Sequence, residues 1–167
     1  VSYTDAEGTE YSFVEGILSD LTLTAHWDYI DYTVQFVADG ETVGTQTAHY
    51  GDAIDYPEIP EKAGYDIVGW NTSALTAEGD MVIEAVYAAK TFTVTLFSEF
   101  ELEGFTACEG GYTLALDYIY GETLALPVGV EKEHHFLNVF EDSDGNTYTV
   151  VENILSDLTL TARWEEL

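Results

Sequence analysis

Basic residues are scarce in this 167-residue sequence, which has 4 Lys+Arg against 32 Asp+Glu and a formal net charge of −28. A nucleic-acid partner needs a basic surface that neutralises its phosphates, and the four cations here are scattered along the chain: Lys62, Lys90, Lys132 and Arg163. An anionic membrane surface would repel so acidic a protein. The composition therefore predicts no nucleic-acid partner and no association with acidic lipid.

Cysteine and long apolar runs are also scarce. The single cysteine, Cys108, excludes an intramolecular disulfide and a zinc site with several cysteine ligands. The longest apolar run covers only residues 85–89, whereas a membrane-spanning helix needs about 20 apolar residues, so we predict no direct membrane insertion. Because no signal peptide is found and the chain begins at Val1, we expect a piece of a longer protein.

The sequence does contain a repeat. Residues 1–27 align without a gap on residues 138–164, with 15 identities over 27 positions. A weaker copy ends at Tyr87, and its front half matches the later copy at a constant offset of 70 residues, as in Tyr50-Gly51 and Tyr120-Gly121. Such self-similarity is typical of proteins built from repeated structural units.

The phase of these matches predicts three segments. Residues 1–27 are the C-terminal portion of a truncated repeat, residues 28–88 a complete short-form repeat, and residues 89–167 a complete long-form repeat with an insertion near residues 97–110. The truncated segment lacks its own front half, so we expect its strands to pair with the following unit or another chain, or to fray.

Alternation of apolar and polar residues predicts β-strands throughout the chain. In residues 21–27 the side chains of Leu21, Leu23, Ala25 and Trp27 share one face, and residues 81–87 and 158–164 repeat this pattern. Since Trp27, Tyr87 and Trp164 recur on this face, we expect them to lie in the core rather than on a surface that binds sugars. At most a short helix could lie near residues 59–63 or 129–133, or in 14–19 or 151–156.

The motifs of residues 32–87 resemble the Listeria–Bacteroides repeat, the B-repeat type of internalin-like bacterial surface proteins. They comprise an opening Tyr-Thr-Val-Gln-Phe, the turn at Tyr50-Gly51, and Pro57-Glu-Ile-Pro60 followed by Gly64-Tyr65 and Gly69-Trp70. The long copy departs in the middle, where His134-His135 replaces Gly-Tyr and Val139-Phe140 replaces Gly-Trp. The resemblance implies a small β-grasp-like module, used as a spacer or an adhesion module, with no catalytic residue.

The predicted fold class is therefore mainly β (α+β, β-grasp-like), with mixed and antiparallel strands in tandem small modules. A unit of about 60 residues is marginally stable alone and gains from contact with its neighbour. The linkers, residues 28–31 and 88–91, lack the composition of a free tether, so we expect a semi-rigid rod.

Sites for chemistry are weakly indicated. The segment Asp142-Ser-Asp144-Gly145-Asn146 has its glycine at the wrong position for a calcium loop and is better interpreted as a hairpin turn. Adjacent His134 and His135 would point to opposite faces of a strand, and we predict no metal site and no cofactor. With so many acids, a carboxylate pair carries no signal, and we predict that the protein is not an enzyme.

One segment could bind a partner. The insertion at residues 97–108 mixes acids with Phe97, Phe100 and Phe105, and such a loop on a rigid scaffold is suited to recognition. It could equally be a longer hairpin that packs on the adjoining module.

The predicted function is a non-enzymatic repeat segment on the bacterial cell surface or in a secreted protein, acting as a stalk, a spacer or a weak multivalent adhesion module. Its expected partners are neighbouring repeats of the same chain and, in addition, a host protein or glycan. The alternatives are a dedicated glycan- or protein-binding module that uses the insertion, and an enzyme or its accessory domain, which would need a deep pocket of convergent polar groups.

Overall fold

A computed structural model describes residues 2–167 and contains sixteen β-strands. Among these residues there is no helix, so the structure is all-β. The strands are β1 Ser2–Thr4, β2 Glu10–Tyr11, β3 Thr24–His26, β4 Tyr32–Ala38, β5 Glu41–Ala48, β6 Tyr65–Trp70, β7 Met81–Ala89, β8 Thr91–Ser98, β9 Thr106–Cys108, β10 Gly111–Ile119, β11 Leu124–Ala125, β12 Val130–Lys132, β13 His135–Glu141, β14 Thr147–Tyr148, β15 Val150–Val151 and β16 Leu158–Glu166.

The short copy forms a four-stranded mixed sheet with the order β5-β4-β7-β6. Strands β4 and β5 are antiparallel, as expected for a hairpin with the turn at Asp39-Gly40, whereas β4 and β7 are parallel. The core of this copy is formed by buried side chains from these strands and the loops between them: Val34, Phe36, Ala48, Ile54, Ala77 and Ile83.

The long copy repeats this topology. Its central strands follow the order β10-β8-β16-β13, within a larger sheet that adds β9 at one edge and β12 at the other. The parallel register is the same in both copies, because Val34 pairs with Met81 as Val94 pairs with Leu158. Its core contains Val94, Leu96, Tyr118, Leu137, Phe140, Val151 and Leu160.

Residues 2–26 form a separate sheet with the order β2-β1-β3. Among the described residues these strands pair with one another, so of the three expected alternatives the pairing with the following unit is not seen. Pairing with another chain remains a prediction. Trp27 is exposed, which also corrects its prediction as a core residue. Both findings have the same reason: this segment contains only the strands that would form the back of a repeat, and no front strand covers them.

By internal contacts the chain divides into two compact units. One runs to Glu58 and includes Trp70–Glu84, and the other holds Ile59–Gly69 and Ala85–Leu167. The repeat boundaries after residues 27 and 88 come from the sequence alignment. That they are also domain boundaries remains a prediction.

Candidate functional site

A closely packed feature outside the two cores is the turn at Gly64, within the second compact unit. Gly64 is buried with a φ of 79°, and a Cβ at this position would lie 2.4 Å from ring atoms of Tyr120. The aromatic ring therefore lies directly on the glycine backbone. Any side chain at residue 64 would displace Tyr120.

Backbone hydrogen bonds hold the same contact. The N–H of Lys90 donates to the carbonyl of Gly64 at 2.9 Å, and the N–H of Tyr120 donates to the carbonyl of Lys90, also at 2.9 Å. Three chain segments are thereby joined in sequence: the turn at residue 64, the connection after β7, and the end of β10. In the repeat alignment the first two belong to the short copy and its linker, and the third belongs to the long copy.

Aromatic and cationic side chains complete this site. The rings of Tyr65 and Tyr120 meet edge to face with centroids 5.4 Å apart. The ammonium of Lys62 lies 4.6 Å from the ring centroid of Tyr65 and 5.7 Å from that of Tyr87. Since cation–π contacts and T-shaped ring pairs both stabilise packing, these side chains reinforce the backbone contact.

The polar groups of the site are engaged with protein partners. The hydroxyl of Tyr87 donates to the carbonyl of Pro60 at 2.8 Å, and Lys90 lies 3.6 Å from a carboxylate oxygen of Asp66. The groove beside them has a volume of about 480 Å³ and is lined by residues 61–67 and Lys90. The arrangement is suited to joining segments of chain.

Sequence reasoning missed this contact. It singled out the Tyr-Gly turn and the Gly-Tyr pair as separate motifs, but it gave no reason for them to meet. The available signal was that Gly64 in the Gly-Tyr pair has no side chain, whereas Tyr120 in the Tyr-Gly turn has an aromatic ring that can cover it. In the long copy His134 occupies the position of Gly64 and keeps a positive φ of 68°, so the turn is retained without the glycine surface.

The three phenylalanines of the insertion are half-buried. Phe100 packs edge to face on Trp164 with centroids 5.0 Å apart and lies 5.1 Å from His135. Phe105 packs against the core of the long copy. The ring of Phe97 lies over Gly111, where a Cβ would approach its Cζ to 2.9 Å. Their role in binding a partner remains a prediction.

The acidic turn at residue 142 is a hairpin, as the glycine position predicted. One carboxylate oxygen of Asp142 accepts the backbone N–H groups of Asp144 and Asn146, and the other accepts the Tyr148 hydroxyl at 2.9 Å. Hydrogen bonds, first of all that from the side chain of Asn146, lower the pKa of Asp142 from 3.8 to about 2. In turn, the bond to Asp142 raises the pKa of Tyr148.

The same turn occurs in the first segment. Asp5 accepts the N–H groups of Glu7 and Thr9 and the hydroxyl of Tyr11, and these bonds, led by that from Thr9, lower its pKa. The two aspartates, 137 residues apart, thus accept equivalent backbone N–H groups and an equivalent tyrosine hydroxyl, which gives these carboxylates a role in the turn. In the part of the chain that the structure describes, no group of three or more histidine, cysteine or acidic side chains could hold a metal ion.

Comparison with known proteins identifies the repeat. The model of the Listeria-Bacteroides repeat domain matches residues 32–97. Two proteins of Evansella cellulosilytica, named "Putative membrane protein" and "Putative Gly-rich membrane protein", are 32% identical over 158 residues and 31% identical over 163 residues, in each case over 87% of this chain. The chain spans 23% of the length of the first relative and 17% of the second.

A solved structure titled "Crystal structure of Mub-RV" aligns with 80% of this chain and 98% of its own, at 14% identity and a TM-score of 0.21. A score this low supports no argument about the fold. Residues 2–167 include no helix that is long and apolar enough to cross a membrane. Residues 32–97 belong to the Listeria-Bacteroides repeat family, as their motifs predicted.

Proposed function

We propose that the chain is a non-enzymatic repeat segment of a surface-associated bacterial protein and acts as a stalk or spacer. The observation that carries this proposal is the recurrence of one sheet order and one parallel register in the short and the long copy. In addition, Tyr120 of the long copy packs on Gly64 of the short copy. The repeat family and the names of the two relatives support an envelope location.

The order β5-β4-β7-β6, with parallel central strands, supports the proposal of a β-grasp-like module. Adjacent modules of this kind would form a semi-rigid rod, because the short linkers leave little freedom between them. A surface rich in carboxylates would keep such a rod soluble and away from anionic cell wall. Weak adhesion by many copies is compatible with the same architecture.

The spacer proposal is tested by adding repeats in phase. Since Trp164 aligns with Trp27, residues 1–164 can be joined directly to residues 28–167 to give a chain with twice as many complete repeats. In small-angle X-ray scattering, a rod should increase its radius of gyration nearly in proportion to its length. A compact particle of twice the size would grow only about 1.3-fold, and that result would contradict the proposal.

A second candidate function is binding through the insertion. The observation that favours it is the position of β9, which forms the outer edge of its sheet and exposes all three of its residues. An exposed edge strand can accept a strand from a partner. The test is a glycan array and a pull-down with the wild type and with Phe100→Ala plus Phe105→Ala, after circular dichroism has shown that the variant is folded; specific binding lost in the variant would favour this function.

A further inference from the structure

The sheet of residues 2–26 reproduces the pairing of β14, β13 and β16 in the back part of the long copy. Tyr3 pairs with Tyr11 and with Ala25, as Phe140 pairs with Tyr148 and with Ala162. The alignment is gap-free, so every residue of the first segment has a defined equivalent 137 positions later. The long copy therefore shows what normally covers each of these side chains.

In the long copy, two front strands contact this back part. Strand β8 pairs in parallel with β16, from Leu158 with Val94 to Thr161 with Phe97, and β11 pairs with β15. In the first segment β3 lies at an edge of its sheet, and residues 13 and 14, the equivalents of β15, form no strand. The pairing positions are present, but the described chain places no strand against them.

The apolar side chains show the same difference. Val14 is 44% exposed and its equivalent Val151 is fully buried, while Tyr3 is 45% exposed and Phe140 is fully buried. Trp27 is 75% exposed, whereas Trp164 is half-buried and donates to the hydroxyl of Ser98 at 3.2 Å. These side chains, together with Leu21 and Leu23, form what we call the open face.

Polar groups of the open face are also positioned to form hydrogen bonds with the front half of a repeat. In the long copy the carboxylate of Asp157 accepts the N–H of Thr93 at 2.8 Å, and in the short copy Asp80 accepts that of Thr33 at 2.7 Å. Asp20 holds the same position in the first segment. Gly16, with a φ of 67°, is the equivalent of Asn153, whose N–H donates to the hydroxyl of Tyr118.

We propose that the open face of residues 2–27 binds a repeat front half of the type of residues 89–137. Its first strand would run parallel to residues 21–24, with the N–H that corresponds to Thr93 bound by Asp20. A second copy of this chain is a poor donor, because its own residues 89–137 already cover its own back half. This proposal concerns the assembly of one repeat and does not depend on the spacer role.

The gap-free alignment provides a direct test. A copy of residues 89–137 is fused to the amino end of the full chain, so that residue 137 precedes Val1 as it precedes Asn138. Hydrogen exchange is then measured by mass spectrometry on peptides from residues 13–27. We expect exchange of residues 21–24 to slow at least about tenfold relative to the unfused chain, because their amides become part of a protected sheet.

Two variants serve as controls. The first carries Val94→Asp and Leu96→Asp in the added copy only; both side chains are fully buried in the long copy, so the change should abolish the protection. The second is Asp20→Ala, which should weaken the protection in the fused protein and leave exchange of the unfused chain unchanged. This second result distinguishes the proposed register from general hydrophobic contact.

Other outcomes would overturn the proposal. Exchange in residues 13–27 could remain fast although the added segment is wild type, or the double aspartate variant could protect as well as the wild type. The unfused chain could also associate in analytical ultracentrifugation with protection of residues 13–27, in which case a second copy is the occupant.

Discussion

At the scale of single residues, Gly64 and Gly129 form a matched pair. Their φ values are 79° and 78°, but a Cβ at Gly64 meets the ring of Tyr120, whereas a Cβ at Gly129 meets nothing within 4 Å. Alanine at either site costs about 1–2 kcal/mol because a residue with a Cβ is strained in the left-handed conformation. Only the difference between the two variants measures the contact with the ring.

We predict that Gly64→Ala destabilises the second unit by about 1–3 kcal/mol more than Gly129→Ala does, because the aromatic ring must move. The measurement is urea unfolding of both variants and the wild type, followed by near-ultraviolet circular dichroism. Equal losses in the two variants would show that the ring contact contributes nothing.

Asp142 is a second residue whose environment can be tested. Its pKa of about 2 lies below the ordinary value of 3.8, so its carboxylate stabilises the folded state above about pH 4, and this contribution disappears as the pH falls towards 2. Asp142→Asn removes the charge and places an amide near the Tyr148 hydroxyl.

We therefore predict that the wild type is more stable than Asp142→Asn at pH 7 and that the difference shrinks between pH 4 and pH 2. Urea midpoints of both proteins across this range provide the measurement. A difference that stays constant with pH would contradict the assignment, and Asp142→Ala at pH 7 controls for any hydrogen bond that asparagine can keep.

At the scale of secondary-structure elements, one sequence occurs in two environments. The segment Leu-Thr-Leu-Thr-Ala is identical in residues 21–25 and 158–162. In the long copy Leu160 is fully buried in a strand between two others, whereas Leu23 is only half-buried beside an edge strand. Intrinsic strand propensity is the same at both sites, so any difference in energy comes from packing.

We predict that Leu160→Ala costs about 2–5 kcal/mol, as expected for a cavity in a closed core, and that Leu23→Ala costs under about 1 kcal/mol. Thermal unfolding of the two variants, each compared with the wild type, tests this. Equal destabilisation would mean that the first segment is packed as fully as the long copy.

Strand alternation was enough to predict most of these elements, because period-two patterns mark a half-buried sheet. It could not decide which strands pair. Residues 21–27 and 158–164 alternate alike, yet only the second segment becomes a long central strand, because Val94 and Leu96 from a distant part of the chain lie against it. For the same reason Trp27 could not be distinguished from Trp164.

At the scale of the whole molecule, the excess of 28 negative charges dominates the electrostatics. Opposite-charge pairs within the described residues involve few cations, with Arg163 and Glu141 at 2.8 Å the shortest. Repulsion among the remaining carboxylates opposes the compact state, and salt screens it over about 30 Å at 0.01 M and about 3 Å at 1 M.

We accordingly predict that the thermal midpoint rises by several degrees when NaCl is increased from about 0.01 M to about 1 M, since screening relieves repulsion more than it weakens the few ion pairs. Differential scanning calorimetry at pH 7 measures this. An unchanged or lower midpoint would show that ion pairs outweigh the net repulsion. Repeating the scans with Arg163→Gln tests the contribution of the bidentate pair of Arg163 and Glu141.

The sequence by itself determined the β class, the hairpin turn at residue 142 and the family of residues 32–97, since each of these depends on patterns within short stretches of chain. The repeat boundaries remain a prediction. The partner-binding role of Phe97, Phe100 and Phe105 remains a prediction. Only the tertiary structure decided that Tyr120 lies on Gly64 and that residues 2–27 keep an open face. Both features depend on residues far apart in the chain, and whether a side chain is buried depends on the segment that packs against it, which local patterns cannot specify.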